Sequence, residues 1–177
     1  MRFFSFILVL LWLGGCGYQP TATITRNIVG ENVYVDVVHS KRDPQNTVAI
    51  KDGTREAIIK RLGRDLSDEK SADTVIIASI ASLKFSSLSY DTYGYTTSYK
   101  ATLTMNYRVK FKDGTTKNFT GTGDYDFTIA KRASGYADSV ISDTDRYNAI
   151  KNASEQCFDE FISRLAIEGF RHGKPNK

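Results

Sequence analysis

From Tyr99 to Phe111 the chain alternates without a break. Tyr99, Ala101, Leu103, Met105, Tyr107, Val109 and Phe111 are interleaved with Lys100, Thr102, Thr104, Asn106, Arg108, Lys110 and Lys112. Successive strand side chains point to opposite faces, so this stretch predicts a strand with one dry and one wet face, and something apolar must cover the dry one. Asp113-Gly114 then signals a hairpin. In the partner strand Phe119, Tyr125, Phe127 and Ile129 are odd-numbered too. A two-residue loop would pair odd with even positions and split the apolar sets between faces. A three-residue loop, Asp113-Gly114-Thr115, keeps them together and predicts a bulged turn with Gly114 at positive φ. Position 112 then faces 116, 107 faces 121 and 105 faces 123, with Tyr107 and Met105 over the bare backbones of Gly121 and Gly123.

The rest of the chain supplies the cover. Val33, Val35 and Val37 read as a first strand. Asn46 is a candidate N-cap for a helix ending at Leu62, with Ile50, Ala57, Ile58 and Leu62 on one face and Gly63 as the stop. Thr74 to Phe85 (TVIIASIASLKF) is nearly continuously apolar or β-branched, as in a central strand. A tyrosine-rich turn at Asp91–Gly94 leads into the alternating strand. A polar loop from about Ala130 to Ser142 precedes a last helix, capped by Ser142 or Asp143 and stopped at Gly169. Its stripe is Tyr147, Ile150, Ser154, Cys157, Phe161 and Leu165. The order β-α-β-β-β-α predicts an α+β two-layer sandwich. Two helices pack on one face of a four-stranded mixed sheet, and the other face stays open.

The N-terminus constrains location. Met1-Arg2 is a charged start, and Phe3 to Leu13 is apolar except for Ser5. Spanning a bilayer takes about 20 apolar residues, so this run suits the apolar region of a secretory signal instead. It ends at Leu13-Gly14-Gly15-Cys16, which resembles the lipobox of bacterial lipoproteins. In that class the cysteine is acylated and the preceding peptide removed. The expected division is therefore 1–15 signal peptide, 16–27 lipidated N-terminus and tether, 28–170 one domain, and 171–177 a flexible basic tail. Several acyl chains at Cys16 would make a durable anchor. Gly17 stands where an Asp would resemble an inner-membrane retention signal, which favours the outer membrane of a Gram-negative cell.

Charge and chemistry narrow the function. A formal net charge of +4, from 24 basic and 20 acidic residues, is too weak and too evenly spread to argue for nucleic acid. Two His and two Cys exclude a Cys/His zinc cage, and no metal or cofactor is expected. Asp124 and Asp126 share a strand face but lack an apolar pocket to raise a pKa, so they read as solvated carboxylates. Cys157, on an apolar helical stripe, reads as a small core residue. No nucleophile elbow, phosphate-binding glycine loop or triad is present, and no enzyme is expected. Arg108, Lys110 and Lys112 cluster on the wet strand face without facing carboxylates, where they could grip a phosphate-bearing lipid or an acidic partner. Lys100, on the same face, and Lys131 and Arg132, entering the long loop, join them as candidates. An ordinary solvated face, with lysines blocking edge aggregation, is the plainer reading of all six. Tyr90, Tyr93, Tyr95 and Tyr99 crowd one turn, a density that suits a protein or lipid contact.

A lipobox, then Cys16-Gly17-Tyr18, the β-α-β-β-β-α order and a final helix after a polar loop together resemble the LptE family of lipopolysaccharide-assembly lipoproteins, in a divergent branch. The resemblance covers nearly the whole mature chain by pattern. It implies a non-enzymatic protein that plugs the outer-membrane barrel LptD, assists its assembly, and takes part in lipopolysaccharide transport to the cell surface. A lipoprotein that activates a peptidoglycan synthase, or a pilotin for a secretin, would share the anchor and small body without needing a lipid-binding face.

Overall fold

The computed structural model describes residue 25 and residues 28–38, 44–129 and 140–172. Strand β1 spans Asn32–Val37. Helix α1 spans Pro44–Ala57 and continues as a π-helical turn over Ile58–Leu62, ended by Gly63 in the left-handed region at φ 56°. Strand β2 is only Asp65–Leu66. Strands β3, β4 and β5 span Thr74–Tyr90, Thr96–Lys110 and Thr116–Thr128, and helix α2 spans Asp143–His172. The sheet order is β2-β1-β3-β4-β5, with β1 parallel to both its neighbours and the remaining pairs antiparallel.

The two-layer α+β architecture is as expected, but the sheet has five strands rather than four. The extra one, β2, is two residues long, too short for any hydrophobic period to register. Val33, Val35, Val37, Ile76, Ala78, Leu103, Met105, Tyr107 and Val109 form the dry face. Against them lie Ile50, Ile58 and Leu62 of the first helical segment, and Ile150, Cys157, Phe158, Phe161 and Leu165 of α2. Tyr107 stacks on Phe161 with ring centroids 4.6 Å apart, and Phe119 meets Phe161 edge-on at 5.5 Å.

Three local expectations are corrected. Helix α1 begins at Pro44, two residues before Asn46, because proline's fixed φ and missing N–H suit the first helical position. Helix α2 runs through Gly169 to His172. It is capped by Ser142, whose Oγ accepts the Asp145 N–H at 3.1 Å and donates to the Asp145 carboxylate at 2.7 Å.

The third correction concerns the β4–β5 hairpin. It is a three-residue bulged turn with Gly114 at φ 81°, but the loop is Lys112-Asp113-Gly114. Phe111 N–H donates to Thr115 O at 2.9 Å, and Gly114 N–H to Phe111 O at 2.9 Å. A loop of this kind closes with its left-handed residue in third place, which fixes Gly114 as the last loop position. The register therefore moves by two: Lys110 faces Thr116, Tyr107 faces Phe119, Met105 faces Gly121 and Leu103 faces Gly123. Parity survives, so the predicted faces stand. The two glycines answer to the helix layer rather than to Tyr107. A Cβ on Gly121 would strike the carbonyl oxygen of Cys157, and one on Gly123 that of Ala153.

Helix α2 also covers the outer edge of β5. Thr122 N–H donates to Glu160 Oε2 at 2.5 Å, and Asp124 N–H to Gln156 Oε1 at 3.1 Å. Edge donors satisfied in this way cannot template a foreign strand.

Candidate lipid and partner binding face

The register maps the open face row by row. Near the β4–β5 turn one row is Tyr34, Val75, Lys110 and Thr116, and the next is Asp36, Ile77, Arg108 and Asn118. Ser79, Asn106 and Thr120 follow. Then β3 bulges: Ile80 faces Met105 but Ser82 faces Thr104, leaving Ala81 as the extra residue. The bulge switches which parity of β3 looks outward. The later open-face rows are Lys84, Thr102, Asp124 and Ser86, Lys100, Asp126.

Arg108 and Lys110 are exposed, and among the described residues neither forms an ion pair. The carboxylate in the Arg108 row, Asp36, lies two strands away and is held by Lys51 Nζ at 3.0 Å. Beside the cations, Val75 and Ile77 are only partly covered. A shallow groove of about 370 Å³ runs past Val38, Ile77, Ser79, Asn106, Arg108 and Asn118. Guanidinium and ammonium donors beside partly bared aliphatic side chains can hold a phosphate and an adjoining hydrocarbon together.

The other candidates separate. Lys112 is not on the strand face. It lies in the turn, where its Nζ meets Asp73 Oδ1 at 2.8 Å. Asp73 also accepts the Glu31 and Asn32 N–H groups at 3.2 Å each. The Lys112 ammonium and these two backbone donors hold the Asp73 carboxyl down at about 2. Three cations without facing carboxylates thus become two. Lys100 lies at the far end, 3.6 Å from Asp126. Cys16, Lys131 and Arg132 lie outside the described residues. Lys84 shares the face with Lys100 and was missed, because only the bulge at Ala81 turns it outward.

The described residues offer little for other chemistry. Among the described residues there is no cluster of three or more His, Cys, Asp or Glu able to hold a metal, and no helix long and apolar enough to cross a membrane. Cys157 is buried, its thiol donating to Leu103 O at 3.2 Å, and burial pushes it up to about 12. A thiol held neutral in this way is a packing residue rather than a nucleophile.

Comparisons with known proteins bear on the fold and the family. No curated protein matches the sequence. Among solved structures, a lipoprotein from Caulobacter crescentus CB15 is similar over 89% of this chain and 100% of its own, with a TM-score of 0.52 and 10% identity, which shows a shared fold. A minor lipoprotein from Acinetobacter baumannii (TM-score 0.44, 8% identity, 80% of this chain and 94% of its own) also matches. So does the rare lipoprotein B from Shewanella oneidensis (TM-score 0.38, 14% identity, 80% and 92%). The family model described as "LptE: Lipopolysaccharide-assembly" matches residues 31–165, from the start of β1 to the last buried turns of α2. That span holds every strand and the core that joins both helices, and the chain therefore belongs to the LptE lipopolysaccharide-assembly family.

Proposed function

We propose that this protein is an outer-membrane lipoprotein, anchored through Cys16, that plugs the LptD barrel, assists its assembly and takes part in moving lipopolysaccharide to the cell surface. Family membership supports the assembly role. The observation that carries the lipid contact is the pair Arg108 and Lys110, exposed and without carboxylate partners among the described residues, beside Val75 and Ile77. A polar, partly basic sheet face also suits the polar interior of a barrel. Arg108 would fork onto a phosphate, Lys110 would add a point charge, and the aliphatic neighbours would meet the first carbons of an acyl chain. Lys131 and Arg132 belong to the same proposal as basic residues entering the long loop, whereas Lys100 and Lys112 already face carboxylates.

The test is isolation of the tagged, lipidated chain from membranes, followed by charge reversal. LptD should co-purify. Arg108→Glu with Lys110→Glu should weaken lipopolysaccharide binding by about tenfold or more, the scale of lost charge-assisted hydrogen bonds. Folding stability should move by less than about 0.5 kcal/mol, as for exposed sites. Unchanged binding would remove this face from the account. A peptidoglycan synthase or a secretin on the tag, with no barrel, would replace the assembly reading.

A further inference from the structure

The far end of the β3–β4 hairpin has no part in the cationic face, and its composition differs from the rest of the surface. From Ser86 to Tyr90 every residue is exposed. Leu88, Tyr90, Tyr93 and Tyr95 are 45%, 61%, 73% and 47% exposed, four large apolar or aromatic side chains at one end of the hairpin. Between Ser86 and Ser98 the only charged residue is Asp91, and there is no Lys or Arg.

That single charge is turned inward. Asp91 Oδ1 accepts the Tyr93 and Tyr95 N–H groups, each at 2.9 Å. Asp91 N–H donates to Tyr95 O at 2.9 Å, and Gly94 N–H to Asp91 O at 3.1 Å. Behind the turn, hydroxyls pair across the strands: Ser87 with Thr96 at 3.2 Å, and Ser89 with Ser98. The backbone donors of Asp91, Tyr93, Gly94 and Tyr95 are thus satisfied within the turn, while the rings face outward. The β4–β5 turn is closed in the same way, with Asp113 Oδ1 accepting the Thr115 N–H at 2.9 Å, so the hydrogen bonding alone does not set this tip apart. It does leave the turn's backbone donors paired, so that entry into lipid carries no cost for them. The side chains make the difference: Lys112 and Asp113 at one turn, Tyr93 and Tyr95 at the other.

From this geometry we infer that the Leu88–Tyr95 tip docks into the lipid–water interface of a bilayer, without dependence on anionic lipid. Tyrosine is the residue of such interfaces, its ring among upper acyl carbons and its hydroxyl among headgroups. The lack of cations argues against an acidic partner. The inference goes beyond the barrel and lipopolysaccharide reading and stands without it. An anchor on the same chain would raise the local concentration of the tip at the membrane, so a weak contact suffices.

The experiment uses the lipidated chain carrying Tyr93→Trp in phosphatidylcholine vesicles, with and without phosphatidylglycerol. The sequence has one tryptophan, Trp12, within the segment expected to be cleaved, so the reporter indole stands alone in the mature protein. Its emission should shift to the blue and be quenched by phospholipid brominated near the glycerol backbone, equally in both vesicle types and in high salt. Adding Leu88→Ser, Tyr90→Ser and Tyr95→Ser should abolish the quenching while leaving the melting temperature unchanged. Emission that stays as in water, or quenching that survives the three serines, overturns the inference. A blue shift that appears only on adding a barrel protein assigns the tip to a protein cavity and overturns it equally. None of these results bears on Arg108 and Lys110.

Discussion

Gly121 lies directly beneath the backbone carbonyl of Cys157, so the sheet and α2 meet here backbone to backbone. The contact sets how deeply α2 sinks between β4 and β5, and with it the stacking of Phe161 on Tyr107. A methyl group at position 121 meets main-chain atoms of Cys157 and cannot be relieved by a side-chain rotation. Gly121→Ala should destabilise the fold by about 3 kcal/mol, the upper end for overpacking. Gly94→Ala is the control: no atom lies within 4 Å of its added Cβ, and only the left-handed φ of 84° is strained. That variant should lose about 1 kcal/mol. Urea unfolding of both variants separates the two costs.

These glycines show where the sequence stopped being legible. Strict alternation from Tyr99 to Phe111 was enough to assign the dry and wet faces, and parity survived a loop placed one residue too late. Position along the strand did not survive, because a shift of two residues leaves every face unchanged. The approach of α2 to Gly121 and Gly123 depends on residues far along the chain, and no local pattern encodes it. Likewise the pairing of Lys112 with Asp73 joins the β4–β5 turn to the segment before β3. Arg108 and Lys110 were readable as strand-face cations; which cations lacked partners was not.

The bulge at Ala81 was hidden in a run that looked apolar on both faces. Before it Ile76 and Ala78 face the core, and after it Leu83 and Phe85 do. Deleting Ala81 removes the extra residue and leaves Ile80, Ser82 and Leu83 opposite Met105, Thr104 and Leu103 in unbroken alternation. Leu83 and Phe85 therefore stay on the core face, and the β3–β4 register beyond them is kept. The deletion should cost no more than about 1 kcal/mol, far less than the roughly 3 kcal/mol of exposing two such side chains. Ala81→Ser keeps the bulge at this exposed position and should be nearly neutral. Denaturation midpoints of the two variants test this: a loss of about 3 kcal/mol or more on deletion, with Ala81→Ser neutral, would mean that the fold requires the bulge itself.

Asp73 gives a prediction in acid. Its folded pKa of about 2 lies below the unfolded value of 3.8, so the folded state binds fewer protons between them. Its contribution is therefore complete above pH 3.8 and fades as pH falls toward 2. Asp73→Asn should lower stability at neutral pH and flatten the decline between about pH 4 and pH 2. Glu56, held at about 2 chiefly by Lys151 and then by Lys60, titrates in the same window. The double variant with Glu56→Gln should flatten the curve further. If Asp73→Asn leaves the acid limb as steep as in the parent protein, the Lys112 contact carries no linkage.

At the alkaline end the sign reverses, through Cys157. Its thiol sits against Leu103 O and is pushed by burial from 9.0 to about 12, so above pH 9 the unfolded chain ionises while the folded one does not. The folded state then binds more protons, and stability must fall as pH rises from 9 toward 12. Tyr107, also raised by burial, adds to the loss above pH 10. Cys157→Ser keeps a hydroxyl near the Leu103 carbonyl and removes a group that ionises in this range. It should cost about 1 kcal/mol at neutral pH and reduce the alkaline decline, leaving the Tyr107 part. The same burial predicts that a thiol reagent at about pH 8 labels Cys157 only at the rate of global unfolding. Rapid labelling of the folded protein would mean that α2 lifts from Gly121 and Gly123 far more often than their backbone contact implies.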